Sequence, residues 1–125
     1  MGFVRRWLER LNESDELRLA EELRAWTGSL PGVVHVAEAP LRNRVKLAGV
    51  VRRISVRPVK GFDAFEVVLT DGTGDAAALW IGRRSIPGVT LGSRLVVEGM
   101  LGEGEPGQKR IVNPAFEFVS EAAET

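Results

Sequence analysis

Apolar and polar residues alternate along Val45-Lys46-Leu47-Ala48-Gly49-Val50-Val51, through Phe65, Val67 and Leu69, and along Arg94-Leu95-Val96-Val97-Glu98-Gly99. A period of two is the mark of a half-buried strand. The pattern predicts five strands: Val45 to about Val56, Phe62 to Thr70, Asp75 to Ile81, Arg94 to Leu101, and Lys109 to Val119. A glycine inside a strand marks a bulge or a sharp bend, so bends are expected at Gly49 and Gly99. Asp71-Gly72-Thr73-Gly74 is a tight turn between the second and third strands. Two bent strands and a tight hairpin are what a small closed barrel needs. Arg57-Pro58-Val59-Lys60-Gly61 is the first loop. Gly82 to Ser93 contains Pro87-Gly88 and Gly92, so an irregular loop or one short turn is expected there. Gly102 to Gly107 is a flexible loop. Asn113-Pro114 interrupts the last strand, and the missing proline N–H places that stretch at an edge or a bulge.

The spacing changes in the first 28 residues. Phe3, Trp7 and Leu11, with Val4 and Leu8 beside them, recur every three or four residues, as on a helix face. Ser14, followed by Asp15 and Glu16, reads as the N-cap of a second helix. Leu19, Leu23 and Trp26 form its apolar stripe, and Gly28 suits its end. Trp7 and Trp26 sit at core spacing and read as packing anchors. A connector follows, with a turn at Pro31-Gly32 and a short edge strand expected over Val33, Val34 and Val36. His35 reads as a polar residue of that segment. The chain thus divides into a helical extension (1–28), a connector (29–41), a barrel (42–119) and a tail (120–125) expected to be disordered.

Composition removes several kinds of chemistry. There is no cysteine, hence no disulfide and no thiolate metal site. His35 is the sole histidine, which excludes a histidine-cluster metal site and argues against a His-based triad. No paired-carboxylate spacing, no nucleophile motif and no base near Ser85 or Ser93 marks an active site. A non-catalytic protein without cofactor or metal is expected. No apolar run reaches the roughly 20 residues of a membrane helix. Arg5 and Arg6 have no apolar signal core after them, so a cytoplasmic location is expected.

The formal net charge is zero, but its distribution is uneven. Between Leu41 and Lys60 stand seven bases (Arg42, Arg44, Lys46, Arg52, Arg53, Arg57 and Lys60) and no acid. Residues 1–40 carry five bases and seven acids, and residues 61–125 five bases and ten acids. A basic stripe on a neutral protein is an electrostatic footprint for a polyanion; charged strand edges that prevent sheet pairing are the plainer reading.

The segments "RVKLAGVVRRISV", "FEVVLTDGTGDAAALWI", "RLVVEGML" and "KRIVNPAFEFV" resemble the OB-fold nucleic-acid-binding family. The nearest branch holds the anticodon-binding domains of class II aminoacyl-tRNA synthetases. The asparagine-proline step with its following aromatic is also similar to the OB wedge domain of the bacterial branch-migration helicase, which usually has histidine where Asn113 stands. The resemblance covers residues 42–119. No GxxxxGK[ST] phosphate loop is present, so no helicase motor accompanies it. The chain is similar to small stand-alone bacterial OB-fold proteins with a helical extension. The implied fold is mainly β: a five-stranded OB-fold barrel.

The resemblance implies binding of single-stranded or branched DNA or RNA, with little sequence preference. OB folds bind through the face of strands two and three and the loops joining strands one to two and four to five. Single-strand binding needs cations along the phosphates and flat aromatic faces for bases. With Val45, Leu47 and Val51 facing in, Lys46 and Arg52 face out. Arg57 and Lys60 lie on the first loop, Arg83 and Arg84 just past the third strand, and Lys109 and Arg110 just past the last loop. Phe62 is the candidate stacking face. An inward Ala76 and Ala78 carry Trp80 inward too, and an exposed Trp80 stays open as the alternative. The outer face of strands two and three offers Ala64, Glu66, Val68, Ala77, Leu79 and Ile81, which is apolar and slightly acidic. That composition suits a protein, so the alternative function is a protein-interaction module, as homodimer or heteromeric adaptor.

Overall fold

The computed structural model describes residues 2–120, with side chains from residue 14 onward. In chain order it has helix α1 (Gly2–Gly28), a short 3-10 turn (Val36–Glu38), and strands β1 (Arg44–Val59), β2 (Phe62–Thr70), β3 (Asp75–Ile81), β4 (Arg94–Glu103), β5 (Lys109–Val112) and β6 (Ala115–Phe118). Strands β2 and β3 have the bounds that the alternation predicts. Pairing runs β1-β2-β3-β5-β4 and returns through β1–β4, so five strands close a ring. All pairs are antiparallel except β3–β5, which is parallel.

Strand β1 serves both sides of the closure. Its first half, Arg44 to Val50, pairs with β4, and from Val50 onward it pairs with β2. The ladder of β1 and β2 has a bulge at Arg52, three residues beyond Gly49, where a bend is expected: Val51 faces Leu69 and Arg53 faces Val68, so Arg52 has no partner. Gly49 has another task. A Cβ there would stand 2.8 Å from the Thr70 carbonyl oxygen and 3.1 Å from Leu69 Cβ. The glycine allows β2 to cross close above the point where β1 changes partners. Gly99 is similar, its space being taken by Ile111 Cγ2. Neither glycine is in the left-handed region; what each position requires is room for a close neighbour.

The first loop is shorter than expected. Arg57, Pro58 and Val59 belong to β1, and the reversal is the two residues Lys60 and Gly61, with φ of 51° and 84°. Two consecutive positive φ values make the mirror-image turn that matches strand twist, and glycine supplies one at no steric cost. The predicted fifth strand is two. Between the Leu101–Ile111 and Glu98–Ala115 pairs, β4 advances three residues and its partner four. The extra residue falls at Asn113-Pro114, where Asn113 has a φ of 52°. Asn113 N–H donates to the Leu79 carbonyl at 2.6 Å, and its Oδ1 accepts from Ile81 N–H at 2.9 Å. The step therefore finishes the β3 ladder with a side chain, and β6 continues along β4 alone.

The interior holds Leu47, Val51, Phe65, Val67, Leu69, Ala78, Leu95, Val97, Leu101 and Ile111, together with Trp80. Trp80 is 6% exposed, and its Nε1 donates to the Pro114 carbonyl at 3.1 Å, which satisfies the one polar atom the ring buries. Two irregular segments add to the core. The Gly82–Ser93 connection forms no helix and contributes Ile86 and Val89; the connector contributes Val36 and Ala39. The edge strand expected over Val33, Val34 and Val36 does not form. Val34 N–H makes one bond to the Lys46 carbonyl, and the chain then turns into the 3-10 turn so that Val36 enters the core.

The two predicted helices are one. No glycine or proline separates Leu11 from Leu17, and Ser14 is an exposed residue inside a continuous helix rather than its cap. Leu23 and Thr27 are buried, whereas Leu19 is 55% exposed, so the packed stripe is narrower than predicted. Trp26 is half-buried under the Arg94 guanidinium, 4.7 Å from the ring centre. His35 Nε2 meets the Arg24 carbonyl at 3.1 Å. At Gly72, with φ of 87°, a Cβ would collide with the Ala20 carbonyl, so the β2–β3 turn admits the helix only because it is glycine. The packing role read for Phe3 and Trp7, and the disorder expected of the tail beyond Ser120, lie outside the described residues.

Candidate nucleic-acid interface

Strand register defines the outer face of β1, β2, β3 and β5 row by row. Side chains directly opposite share a face. Val59 stands beside Phe62 at the tip of the hairpin. Arg57, Ala64 and Ile81 form the next row, Ser55, Glu66, Leu79 and Val112 the third, and Arg53, Val68, Ala77 and Arg110 the fourth. The middle of this face is recessed. Ala64, Val68, Ala77 and Leu79 are buried, with Val59 packed against Ala64, Ala77 and Leu79. What solvent meets is the rim: Arg53, Lys60, Phe62, Ile81 and Val112 are exposed, and Arg57 and Arg110 half-buried. The β4–β5 loop rises beside the fourth row. Glu105, Pro106, Gly107 and Gln108 face Arg53, Val68 and Ala77 across a cleft of about 310 Å³.

The predicted site residues separate into groups. Arg57, Lys60, Phe62 and Arg110 lie on this face. Lys60 is at the turn, Phe62 is 62% exposed, and Arg110 lies against the β4–β5 loop, where a Cβ on Gly104 would touch its Cδ at 3.0 Å. Arg52 is exposed at the bulge, and its NH1 reaches Asp75 Oδ2 at 2.7 Å. Arg83 and Arg84 follow β3. Arg84 NH1 holds Asp63 Oδ2 at 2.6 Å, and Arg83 has no ion-pair partner among the described residues. Lys46 belongs to another wall, that of β1, β4 and β6, with Val96, Glu98 and Glu117 as neighbours. Lys109 points toward the connector. Its Nζ donates to the carbonyls of Val36 and Ala39 at 2.7 and 2.9 Å, so its donors hold the fold together.

Arg53 was not singled out by the alternation. Strict period two places it on the face opposite to Arg52, pointing in. The bulge inverts the phase and brings Arg53 onto the cleft, with no ion-pair partner among the described residues. The central acid, Glu66, is 4% exposed. Its Oε1 accepts from Ser55 Oγ at 3.3 Å, and Arg57 NH2 stands 3.5 Å from its Oε2. The acid-free segment of sequence thus meets acids from other strands: Arg44 pairs with Glu98, Arg52 with Asp75, and Arg57 with Glu66. On this face Arg53, Lys60 and Arg110 have no ion-pair partner among the described residues; of the three, Arg53 lines the cleft, together with Asp75 and Glu105. Among the described residues no three His, Cys, Asp or Glu side chains converge as a metal site would require. No described helix is long and apolar enough to cross a membrane.

No protein-family model matches the chain, and no curated protein matches its sequence. Solved structures do match. RecG bound to a three-way DNA junction is similar over 71% of this chain, with a TM-score of 0.60 and 15% identity. The yeast Stn1 and Ten1 structure is similar over 65% of it, with a TM-score of 0.51 and 16% identity. The chain spans 13% of the length of the RecG chain and 45% of the other. At these identities the likeness speaks for the fold. Taken with the ring order and the β1 strand shared by both sides of the closure, it makes this chain an OB-fold barrel that carries one helix ahead of its first strand.

Proposed function

We propose that the protein is a non-catalytic binder of single-stranded or branched nucleic acid, held in the cleft between the β1–β2 hairpin and the β4–β5 loop. The observation that carries this reading is the fourth row. Arg53 and Arg110 stand at one level on opposite sides of a recessed apolar floor, and Arg53 has no carboxylate partner among the described residues. Cations flanking a groove track a phosphate backbone, and Phe62 at its open end offers a ring to a base. Lys60 extends the same rim. The similarity to a structure holding a three-way DNA junction supports a branched ligand. Binding depends mainly on phosphates, and so tolerates most sequences.

Titration of labelled single-stranded, duplex and forked DNA at about 50 and 200 mM salt tests this. Single-stranded and forked DNA bind, and affinity falls steeply with salt. Replacing Arg53, Lys60 and Arg110 by glutamine lowers the salt slope by about 0.7 for each phosphate of a single strand that is no longer neutralised. Phe62→Ala weakens binding by about 1–3 kcal/mol and leaves the slope unchanged, because stacking releases no counterions. No binding of any of the three ligands at about 50 mM salt overturns the reading.

The alternative function, a protein-interaction module, cannot use Ala77 and Leu79 as contact surface, because they are 2% and 1% exposed. Ile81, at 36%, is the exposed member of that trio.

A further inference from the structure

Two buried side-chain oxygens among the described residues have no hydrogen-bond donor: Glu66 Oε2 and Gln108 Oε1. A buried polar atom left unpaired costs about 1–3 kcal/mol, so such atoms are rare and ask for an explanation. Gln108 lines the cleft from the β4–β5 loop, and Glu66 lies in the neighbouring third row, two residues along β2 from Val68 on the cleft floor. Arg57 does not satisfy Glu66. At 3.5 Å its NH2 is well beyond the roughly 2.7–2.9 Å of a charge-assisted hydrogen bond. The two form an ion pair without a hydrogen bond. The side chains beside Glu66 are small or apolar: Ala64 and Val68 on its own strand, Leu79 opposite. Only Ser55 supplies a donor, and it uses Oε1.

We propose that Glu66 is a base-reading residue that selects guanine at one position of the bound strand. This deepens the nucleic-acid reading above and rests on it. A carboxylate has acceptors only, so it selects a base edge made of donors. Guanine offers N1–H and the N2 amino group side by side, one for each carboxylate oxygen. Cytosine and adenine place a ring-nitrogen acceptor next to their single amino group. Thymine and uracil flank their one N–H with two carbonyls. On any base but guanine, a lone pair would oppose one of the two Glu66 oxygens. Oε2 takes one guanine donor outright, and Oε1 takes the other on the lone pair Ser55 leaves free. Arg57 yields its place over Glu66 and takes up a phosphate of the same strand, which keeps both charges paired. The rest of the strand is held through phosphates and stacking, so the preference is confined to one position.

The test measures affinity of the whole chain for four labelled 15-mers: thymine throughout, or with a single central guanine, cytosine or inosine. The guanine strand binds about tenfold tighter than the thymine strand, as a good bidentate base contact does. Cytosine gains less than inosine, and inosine, which lacks the N2 amino group, gains less than guanine. Glu66→Gln brings the guanine and thymine strands to within about twofold of each other, since the amide turns one acceptor into a donor. Its thymine-strand affinity is retained or raised, because Arg57 is released to phosphate; this also reports that the variant is folded. Equal binding of guanine and thymine strands by the unaltered protein overturns the guanine site and leaves the nucleic-acid function standing. So does a guanine preference that survives in Glu66→Gln. Failure of all four strands to bind overturns the function itself.

Discussion

Asp71 Oδ2 accepts a hydrogen bond from the backbone N–H of Val36 at 2.8 Å. The other carboxylate oxygen of Asp71 takes the N–H groups of Thr73 and Gly74 and the hydroxyl of Thr73, at 2.8, 3.2 and 2.6 Å. One fully buried side chain thus closes the β2–β3 turn and seats the connector on the barrel. Local hydrogen bonding by aspartate at the head of a turn is common; here the second oxygen is used at long range. Asp71→Asn puts an amide N–H where Val36 N–H or the turn donors need an acceptor. The expected cost is about 2–3 kcal/mol, read as a fall in Tm of roughly 10 °C with the far-ultraviolet spectrum retained. An unchanged Tm would show that the connector is seated by apolar contacts alone.

Lys109 completes the same junction from the opposite side, through the carbonyls of Val36 and Ala39. Lys109→Met keeps the stem and removes the donors. Stability drops by about 2 kcal/mol in urea melts. Below the melting range, the salt slope for single-stranded DNA stays as in the unaltered protein. A slope lower by about 0.7 would instead assign Lys109 to a phosphate.

Arg52 and Arg53 are neighbours in sequence with different surroundings. Arg52 is already held by Asp75 at 2.7 Å, and Arg53 faces the cleft. Arg53→Gln lowers affinity for all single strands alike and flattens the salt response. Arg52→Gln changes both less, since its charge is already answered on the protein. Equal losses in parallel titrations would count against the cleft as the route of the strand.

Gly72 separates the two functions of its turn. Gly72→Ala forces a non-glycine residue to a φ of 87° and drives its Cβ into the Ala20 carbonyl. The helix lifts and the barrel persists. Amide exchange over residues 20–28 quickens while the β2 and β3 amides stay protected.

Gly49→Val places a branched side chain against the Thr70 carbonyl at the crossing of β1 and β2. The backbone there has no room to give, so a loss of about 2–3 kcal/mol is expected in denaturant melts. A variant as stable as the parent would mean that the crossing adjusts freely.

Much of the fold was legible because it is written in short-range physics. Period two located β2 and β3 to the residue, and Asp71-Gly72-Thr73-Gly74 announced its turn by the residue types a turn demands. Trp80 followed Ala76 and Ala78 inward for the same reason. Short-range signals failed where a side chain's surroundings come from distant parts of the chain. Nothing near Arg52 marks the bulge; it arises where β1 leaves β4 for β2, and it alone brings Arg53 to the cleft. Nothing near Lys109 marks the connector carbonyls, which are 73 and 70 residues away. The stripe from Leu41 to Lys60 is acid-free along the chain, and yet three of its seven bases are paired in space, because Glu66, Asp75 and Glu98 arrive from three other strands. Sequence by itself determined β2, β3, the turn between them and the excess of positive charge on β1. Tertiary structure decided which of those charges stay free, and that Glu66 sits buried among them, because charge pairing and burial depend on distance in space and not along the chain.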